Sequence, residues 1–365
     1  MSCNQYSGNQ VAKAGNEFLN LEGLLNDEKK FDHVMNVLSF WRFCHEVPLE
    51  RAWELLQTIA KKYDSSAILA KRLKRYLSIH KKLVRFEKMS LKNMQDIGGC
   101  RAIFTTEKRL MKAARDLRRR KEFKTSRGKS RSKNYIKNPK PDGYRSYHLI
   151  GLFPDKNGSF RKIEIQLRTR LQHYWATALE IVDLFTGQAL KSNQGDEDWE
   201  EFFAEVSRQF SIMDKVHMFA TISPRDPLQH YKLQHYKQQV VRSGLDKKRV
   251  KVQQLAKKLK VQKKFSAFAE SIRILDERFT DSPGSSYVLL QIDTQERNLK
   301  SKVFTPDNSR LAEAAYIKAE KESAQNDDIA VALVSSGSVG GIQEAYPNFF
   351  ADSTKFLEHL HYILS

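Results

Sequence analysis

Two segments of the chain gather residue types suited to holding a phosphorylated aromatic ligand: Pro139-Lys140-Pro141-Asp142-Gly143-Tyr144-Arg145-Ser146-Tyr147-His148 and Glu164-Ile165-Gln166-Leu167-Arg168-Thr169. In the first, Gly143 permits a backbone reversal, Tyr144 offers a flat face for stacking a base, and Lys140, Arg145 and His148 can meet phosphates. In the second, strict alternation puts Phe160, Lys162, Glu164, Gln166 and Arg168 on one strand face and Arg161, Ile163, Ile165 and Leu167 on the other. Taken alone, that pattern is an antiparallel strand with one wet face. Asp96 precedes another expected strand and alone reads as a turn residue. Two carboxylates on neighbouring strands, Asp96 and Glu164, suit Mg²⁺, which favours one or two carboxylates plus substrate phosphates. Arg72, Lys74, Ser78 and Lys82 form a solvated charge face that gains meaning only beside the same cleft. His173 and Trp175 read as packing and hydrogen bonding under the sheet.

The elements that must position these residues follow from periodicity. Residues 17–90 read as helical, with Val34, Val37, Leu38 and Trp41 at helical spacing and Pro48 suited to a first turn. A third helix is expected over 65–88, with Ile68, Leu69 and Leu73 facing one way. Residues 98–104 read as a strand, 107–121 as a basic helix, and 145–153 and 160–168 as strands joined by an Asn157-Gly158 hairpin signal. A helix follows over 170–185, and the acidic stretch from Asp196 to Glu205 opens another, its charge complementing the helix dipole. Residues 226–275 read as helical and basic, with Val252, Leu255, Ala256 and Leu259 as the apolar stripe. The tail reads strand (287–293), strand (300–304), helix (308–323), strand (328–335) and helix (351–363). Ser335 to Gly341 is glycine-rich but lacks a Walker lysine and GxGxxG spacing, so it reads as a plain loop.

Charge divides the same 365 residues. The formal net charge is +20, which points to polyanionic partners. Residues 101–140 hold 16 Lys and Arg against 3 Asp and Glu, and 237–264 hold 11 against 1. Residues 281–365 reverse this, with 7 basic against 12 acidic, and the change falls at a turn-rich string, Asp281-Ser282-Pro283-Gly284-Ser285-Ser286. An acidic tail of opposite charge to the body suggests docking on the basic face and autoinhibition. No run of eighteen apolar residues exists, so no transmembrane helix and no membrane partner are expected. Cys3, Cys44 and Cys100 are sparse and unclustered, which fits a reducing compartment without structural zinc. The expected location is cytoplasmic.

The order Arg72-x-Lys74, Ser78, Lys82, then Asp96 and Arg101, then Tyr135-Ile136-x-x-Pro139-Lys140-x-x-Gly143-Tyr144-Arg145-Ser146-x-His148, then Glu164-x-Gln166-x-Arg168-Thr169, then His173-x-Trp175-Ala176 resembles the synthetase domain of RelA/SpoT-type alarmone synthetases. The resemblance covers about residues 65–185. It implies an α+β fold, a nucleotidyltransferase-like mixed β-sheet flanked by helices. Around it stand a helical N-terminal region (1–64), the synthetase core (65–190), a basic helical extension (191–280) and a small acidic C-terminal α/β domain (281–365). The implied reaction moves the β,γ-pyrophosphate of ATP to the 3′-hydroxyl of GDP or GTP and releases AMP. By matching position, Asp96 and Glu164 are the catalytic Mg²⁺ carboxylates, with Glu164 placed to help deprotonate the 3′-hydroxyl. Arg72 and Arg109 sandwich adenine, and Lys74, Ser78, Lys82, Arg101 and Lys133 hold the ATP phosphates. Tyr144 stacks on the acceptor base, with Asp142 at its edge and Lys140, His148 and Gln166 on its phosphates and ribose.

Two positions depart from the family pattern. Asn134 stands where the family has Asp, and Asp142 stands where it has the Asn that reads guanine. A carboxylate accepts from guanine N1 and N2 but does not donate to O6. The acceptor therefore stays open between GDP or GTP, another purine nucleotide, and the 3′ end of tRNA, for which the basic stretches 101–140 and 237–264 supply backbone-binding charge. A non-catalytic nucleotide- or RNA-binding module is the third reading, and retention of both carboxylates speaks against it. No His-Asp dipeptide of a companion hydrolase occurs, so the expectation is a synthetase-only enzyme, with a homo-oligomer among its possible states.

Overall fold

The computed structural model describes residues 5–186 apart from 21, 22 and 25, then 197–216, 219, 227–262 and 265. Further on it describes 286–293, 298–305, 308, 311–312, 314–315, 318–319, 329–336 and 352–365. The chain divides into two compact units, Met1–Asn138 with Arg145–Arg170, and Pro139–Tyr144 with Leu171–Ser365.

The first unit is built on a five-stranded mixed sheet. In chain order its elements are α1 (Gly8–Glu17), α2 (Glu28–Phe43), α3 (Glu46–Tyr63), β1 (Ile68–Leu73), α4 (Tyr76–Arg85), β2 (Gly98–Phe104), α5 (Glu107–Arg119), β3 (Ser132–Asn134), β4 (Tyr147–Pro154) and β5 (Phe160–Thr169). Strand order across the sheet is β1-β2-β5-β4-β3, parallel only between β2 and β5. Ile163, Ile165 and Leu167 of β5 are fully buried, as the alternation requires, with Leu149, Cys100 and Ala102 beside them. Onto this face pack Ala52, Leu56, Ile59 and Ala60 of α3 and Leu110, Ala113, Ala114 and Leu117 of α5. A second core joins α1, α2 and α4 through residues such as Val11, Val37, Trp41, Ile79 and Leu83. With α3 and α5 covering one side of the sheet, the opposite face is left for polar side chains.

The helix expected over 65–88 is corrected. Residues 68–73 form β1, paired antiparallel with β2 from Ile68 opposite Ile103 to Leu73 opposite Gly98. The spacing of Ile68, Leu69 and Leu73 satisfies a helix locally, but β2 offers a free edge, and pairing with it satisfies the backbone of both strands. Arg75, extended at φ −67° and ψ 151°, then starts the shorter α4.

The second unit is mainly helical: α6 (Arg170–Thr186, whose first residue closes unit one), α7 (Glu197–Met213), α8 (Gln229–Arg242), α9 (Asp246–Lys258) and α10 (Asp352–Leu364). Over the described part of 226–275, expected to be helical and basic, two helices are separated at Gly244, whose φ of +64° suits glycine. Val252, Leu255, Ala256 and Leu259 are buried, so the stripe packs as its spacing requires. Strands β6 (Ser286–Asp293), β7 (Asn298–Phe304) and β8 (Ile329–Ser336) make an antiparallel sheet in the order β7-β6-β8. The string 281–285, most of the helix expected over 308–323 and the glycines 337–341 lie outside the described residues. Among the described residues no helix is long and apolar enough to cross a membrane. Cys44 and Cys100 are buried free thiols, and burial pushes that of Cys100 up to about 12.

Candidate active site

The open face of the five-stranded sheet collects its polar side chains in rows. Register places Lys133, His148, Gln166 and Arg101 opposite one another across β3, β4, β5 and β2. One step along, Glu164 lies opposite Gly99, and Gly99 opposite Arg72. Partners across a ladder share a face, so both rows project together. Gly99 interrupts the second row between a carboxylate and a guanidinium. A Cβ added there would meet only the Glu164 carbonyl oxygen, at 3.7 Å, so the glycine leaves a shallow floor.

The two carboxylates are held by different partners. Asp96, two residues before β2, accepts from Lys74 Nζ at 2.9 Å and from Lys82 Nζ at 2.8 Å. Helical spacing explains the second contact: Ile79 and Leu83 of α4 are buried, which turns Ser78 and Lys82, four residues apart, to another side of the helix. Glu164 accepts from His148 Nδ1 at 3.0 Å and from Gln166 Nε2 at 2.7 Å. Burial alone would push the Glu164 carboxyl up. The hydrogen bond and charge of His148, the Gln166 amide and the charge of Lys82 outweigh it and hold the group at about 2. Lys82 thus acts on both acids, by direct contact with one and by its field on the other.

These donors fit a hard cation. Glu164 is ionised at any working pH, and each carboxylate keeps lone pairs beyond those its partners use. Among the described residues no cluster of three or more His, Cys, Asp or Glu stands ready to hold a metal alone. A Mg²⁺ here would rest on Asp96, Glu164 and substrate phosphates, its usual manner of binding.

Arg109 stands apart from these rows, in the first turn of α5. Its Nη1 donates to Asp64 Oδ1 at 3.0 Å and to Thr105 Oγ1 at 2.8 Å. Asp64, sealed from solvent, also accepts from Thr105 N, Thr105 Oγ1 and Ser66 Oγ at 2.7–2.8 Å. Burial would raise the Asp64 carboxyl, but Thr105, Ser66 and the Arg109 charge hold it below the ordinary range. Arg72 is exposed on the edge strand.

Lys140, Asp142 and Tyr144 belong to the second unit. Gly143 adopts φ +89°, the Gly143 N–H donates to the Lys140 carbonyl at 2.9 Å, and the Tyr144 N–H donates to Asp142 Oδ1 at 2.8 Å. The Asp142 side chain therefore closes its own turn. The Lys140 ammonium lies 4.7 Å from the Tyr144 ring centroid, and the ring meets Trp175 edge-on at 6.4 Å. Trp175, expected under the sheet, packs instead in the helical core of the second unit, and its Nε1 donates to the Phe203 carbonyl at 2.8 Å.

Three participants lack a role in the sequence reading. Arg168, nearly buried on the face of Glu164 and Gln166, donates to Gln166 Oε1 at 3.2 Å and so turns the Gln166 amide toward Glu164. Its i+4 spacing from Glu164 on one strand was the available signal. Tyr135 meets the His148 ring edge-on at 5.2 Å. Asp64 carries no local signal, since its partner Arg109 lies 45 residues on.

The basic extension is partly neutralised within its own unit. Lys248 pairs with Glu205 at 2.9 Å, Lys251 with Glu201 at 3.0 Å, and Lys258 with Asp198. These pairs run in opposite chain directions, so acidic α7 and basic α9 lie antiparallel.

Residues 71–181 match the family described as "Region found in RelA / SpoT proteins". The chain is 37% identical over 92 residues to GTP pyrophosphokinase YjbM of Bacillus subtilis (strain 168), covering 24% of this chain and 41% of that protein. It is 32% identical over 114 residues to GTP pyrophosphokinase YwaC of the same organism, covering 29% and 52%. The chain thus spans about half the length, or less, of these relatives. Among solved structures, small alarmone synthetase 1 of B. subtilis bound to its product pppGpp aligns with a TM-score of 0.41 at 25% identity, covering 48% of this chain and 93% of that one. A GTP pyrophosphokinase family protein from Streptococcus pneumoniae aligns with a TM-score of 0.41 at 20% identity, covering 53% and 96%. Residues 71–181 thus form a RelA/SpoT-type region, with sequence similarity to the two B. subtilis pyrophosphokinases.

Proposed function

We propose that this protein is an ATP-dependent pyrophosphokinase that transfers the β,γ-pyrophosphate of ATP to the 3′-hydroxyl of GDP or GTP, yielding ppGpp or pppGpp and AMP. The observation that carries the reading is the pairing of Asp96 and Glu164 around Lys82, on a face lined by Arg72, Arg101 and Lys133, within the RelA/SpoT-type region. The names of the two curated relatives support the same chemistry.

In this reading Lys74, Lys82, Arg101 and Lys133, with the Ser78 hydroxyl, bind the triphosphate, and Arg72 and Arg109 flank adenine. Asp96 and Glu164 would hold Mg²⁺, which would supply charge neutralisation at the phosphate oxygens. The acceptor O3′ bonds to the β-phosphorus as the bond from that phosphorus to the α,β-bridging oxygen breaks, and AMP leaves. Glu164, with a carboxyl near 2, is a weak base. Its part is to orient the hydroxyl and take the proton late, which suits a loose phosphoryl-type transition state. Arg168, Gln166 and His148 fix its direction. Tyr144 stacks the acceptor base, Lys140 and His148 meet its phosphates, and Asp142 accepts from guanine N1 and N2. A cytoplasmic location fits these nucleotide substrates. An RNA acceptor draws less support, because three lysines of α9 already pair with α7.

The test is an acceptor screen with Mg²⁺ and ATP labelled at the γ-phosphate, offering GDP, GTP, ADP, AMP or bulk tRNA, with Glu164→Ala as control. Label is expected on GDP or GTP, with release of AMP and none from the control. Label on tRNA alone, or no transfer, overturns the reading.

A further inference from the structure

We propose that helix α7 sets the affinity for the acceptor nucleotide by holding the 139–144 turn, with Ser207 as its positioning residue. This rests on the functional reading above, in which Lys140, Asp142 and Tyr144 bind the acceptor.

The turn makes its own short-range bonds, but these fix only its shape. Its place within the second unit is fixed by α7, far along the chain. Ser207 Oγ, buried, donates to the Gly143 carbonyl at 2.5 Å. The backbones also approach closely. A Cβ built on Gly143 would stand 2.9 Å from Ala204 Cα, 2.9 Å from Ser207 Cβ and 3.3 Å from the Phe203 carbonyl oxygen. Glycine is required here twice, for φ +89° and for lack of space. The same Phe203 carbonyl accepts from Trp175, whose ring borders Tyr144. One turn of α7, from Phe203 to Ser207, therefore meets both the backbone behind Asp142 and the indole beside the stacking tyrosine.

A hydroxyl bound to a buried backbone carbonyl holds the turn's peptide plane, and with it the direction of the flanking Asp142 and Tyr144 side chains. Loss of that bond leaves a buried acceptor unpaired and lets the turn shift. The ATP side, carried by β1, α4, β2, α5 and β3, shares no residue with this contact. The expected signature is a change in acceptor affinity without a change in ATP affinity.

The experiment compares the parent with Ser207→Ala and Ser207→Cys, which keeps size and a weak donor. Ser211→Ala serves as a control on the same helix, its exposed hydroxyl bonded within its own helix to the Arg208 carbonyl. KM for GDP and for ATP, calorimetric GDP binding without ATP, and melting temperature are measured for each. In Ser207→Ala, KM for GDP and the GDP dissociation constant rise roughly five- to tenfold, the size of one lost hydrogen bond, with KM for ATP within about twofold. Ser207→Cys falls between, and Ser211→Ala matches the parent. Unchanged GDP binding in Ser207→Ala overturns the inference, as does an equal rise for both substrates or a matching effect of Ser211→Ala. A parent that neither binds GDP nor transfers to it overturns the functional reading, and the inference falls with it.

Discussion

Asp64 and Arg109 form an ion pair at 3.0 Å in which the acid is fully buried and the guanidinium about half exposed, at 48%. The buried half is fixed by Asp64 and Thr105, so the exposed half is a platform rather than a free arm. A planar guanidinium held along one edge presents its face for stacking, which a mobile Arg does only at entropic cost.

Replacing Asp64 by Asn removes the charge and turns an amide toward the Thr105 donors. Asp64→Asn should lower stability by about 3 kcal/mol, the range for breaking a buried ionic network. It should also weaken binding of a non-hydrolysable ATP analogue, with GDP binding unchanged. Arg109→Lys should reproduce the loss of ATP affinity with little loss of stability. Calorimetric titrations and thermal melts separate the two effects, and equal ATP affinity in all three proteins sinks the platform.

Lys82 tests the paired acids. Lys82→Met leaves Asp96 with Lys74 alone and removes the positive field on Glu164. Since both side chains of the Lys82–Asp96 pair keep some exposure, the melting temperature should move little. The rate of AMP release at saturating substrates should drop about 100-fold, the scale of one lost electrostatic contact to a reacting group. A rate near that of the parent removes Lys82 from the chemistry.

Gly99 gives a steric test on the floor of the site. An added Cβ has room, and β-branched residues suit strands, so Gly99→Val should fold and melt close to the parent. The isopropyl group would occupy the gap between Arg72 and Glu164. ATP binding should weaken at least about tenfold, ~1.4 kcal/mol. Normal binding in a folded Gly99→Val shows that the floor carries no ligand.

Much of this site was legible because it depends on period and order. Ile163, Ile165 and Leu167 are buried beneath Glu164 and Gln166, as alternation requires, and the spaced motifs around Asp96, His148 and Glu164 meet on one sheet face. Failures came where a distant partner decides. Ile68, Leu69 and Leu73 fit a helix until β2 is present to pair with them. Asp64 and Ser207 look ordinary in sequence, since their partners lie 45 and 64 residues away. The basic character of α9 was readable, whereas its neutralisation by Asp198, Glu201 and Glu205 needed the antiparallel packing of α7.

Acid should destabilise the first unit through His45. Burial holds this imidazole down at about 4 against an ordinary 6.5, while its Nδ1 donates to the Trp41 carbonyl at 2.8 Å. Above pH 6.5 it is neutral in folded and unfolded chains alike. As pH falls from 6.5 toward 4, only the unfolded chain takes the proton, so stability declines, by about 3 kcal/mol in total. Urea denaturation across this window should show the fall, and His45→Gln should flatten it. A parent whose stability is level between pH 6.5 and 4 contradicts the burial of a neutral ring.

The last helix decides between two roles for the C-terminal part. Its acidic surroundings suggest a detachable brake on a basic body, yet Phe356, Leu360 and Ile363 are fully buried in the core of α6 to α9. Its C-terminal carbonyls are also capped from outside. Arg249 Nε donates to Ile363 at 3.1 Å, Gln253 Nε2 to Ile363 and Leu364 at 3.2 Å, and Lys237 Nζ to Ser365 at 3.1 Å. Cationic donors at a helix C-terminus are favourable in themselves. At about 1.5–3 kcal/mol for each buried side chain, the three apolar residues contribute on the order of 4.5–9 kcal/mol. That is comparable with the whole stability of a domain. Deleting residues 352–365 should therefore unfold or aggregate the helical unit and abolish acceptor binding, with a lost melting transition. A truncated protein that melts with the parent and transfers pyrophosphate faster would make the tail a brake instead.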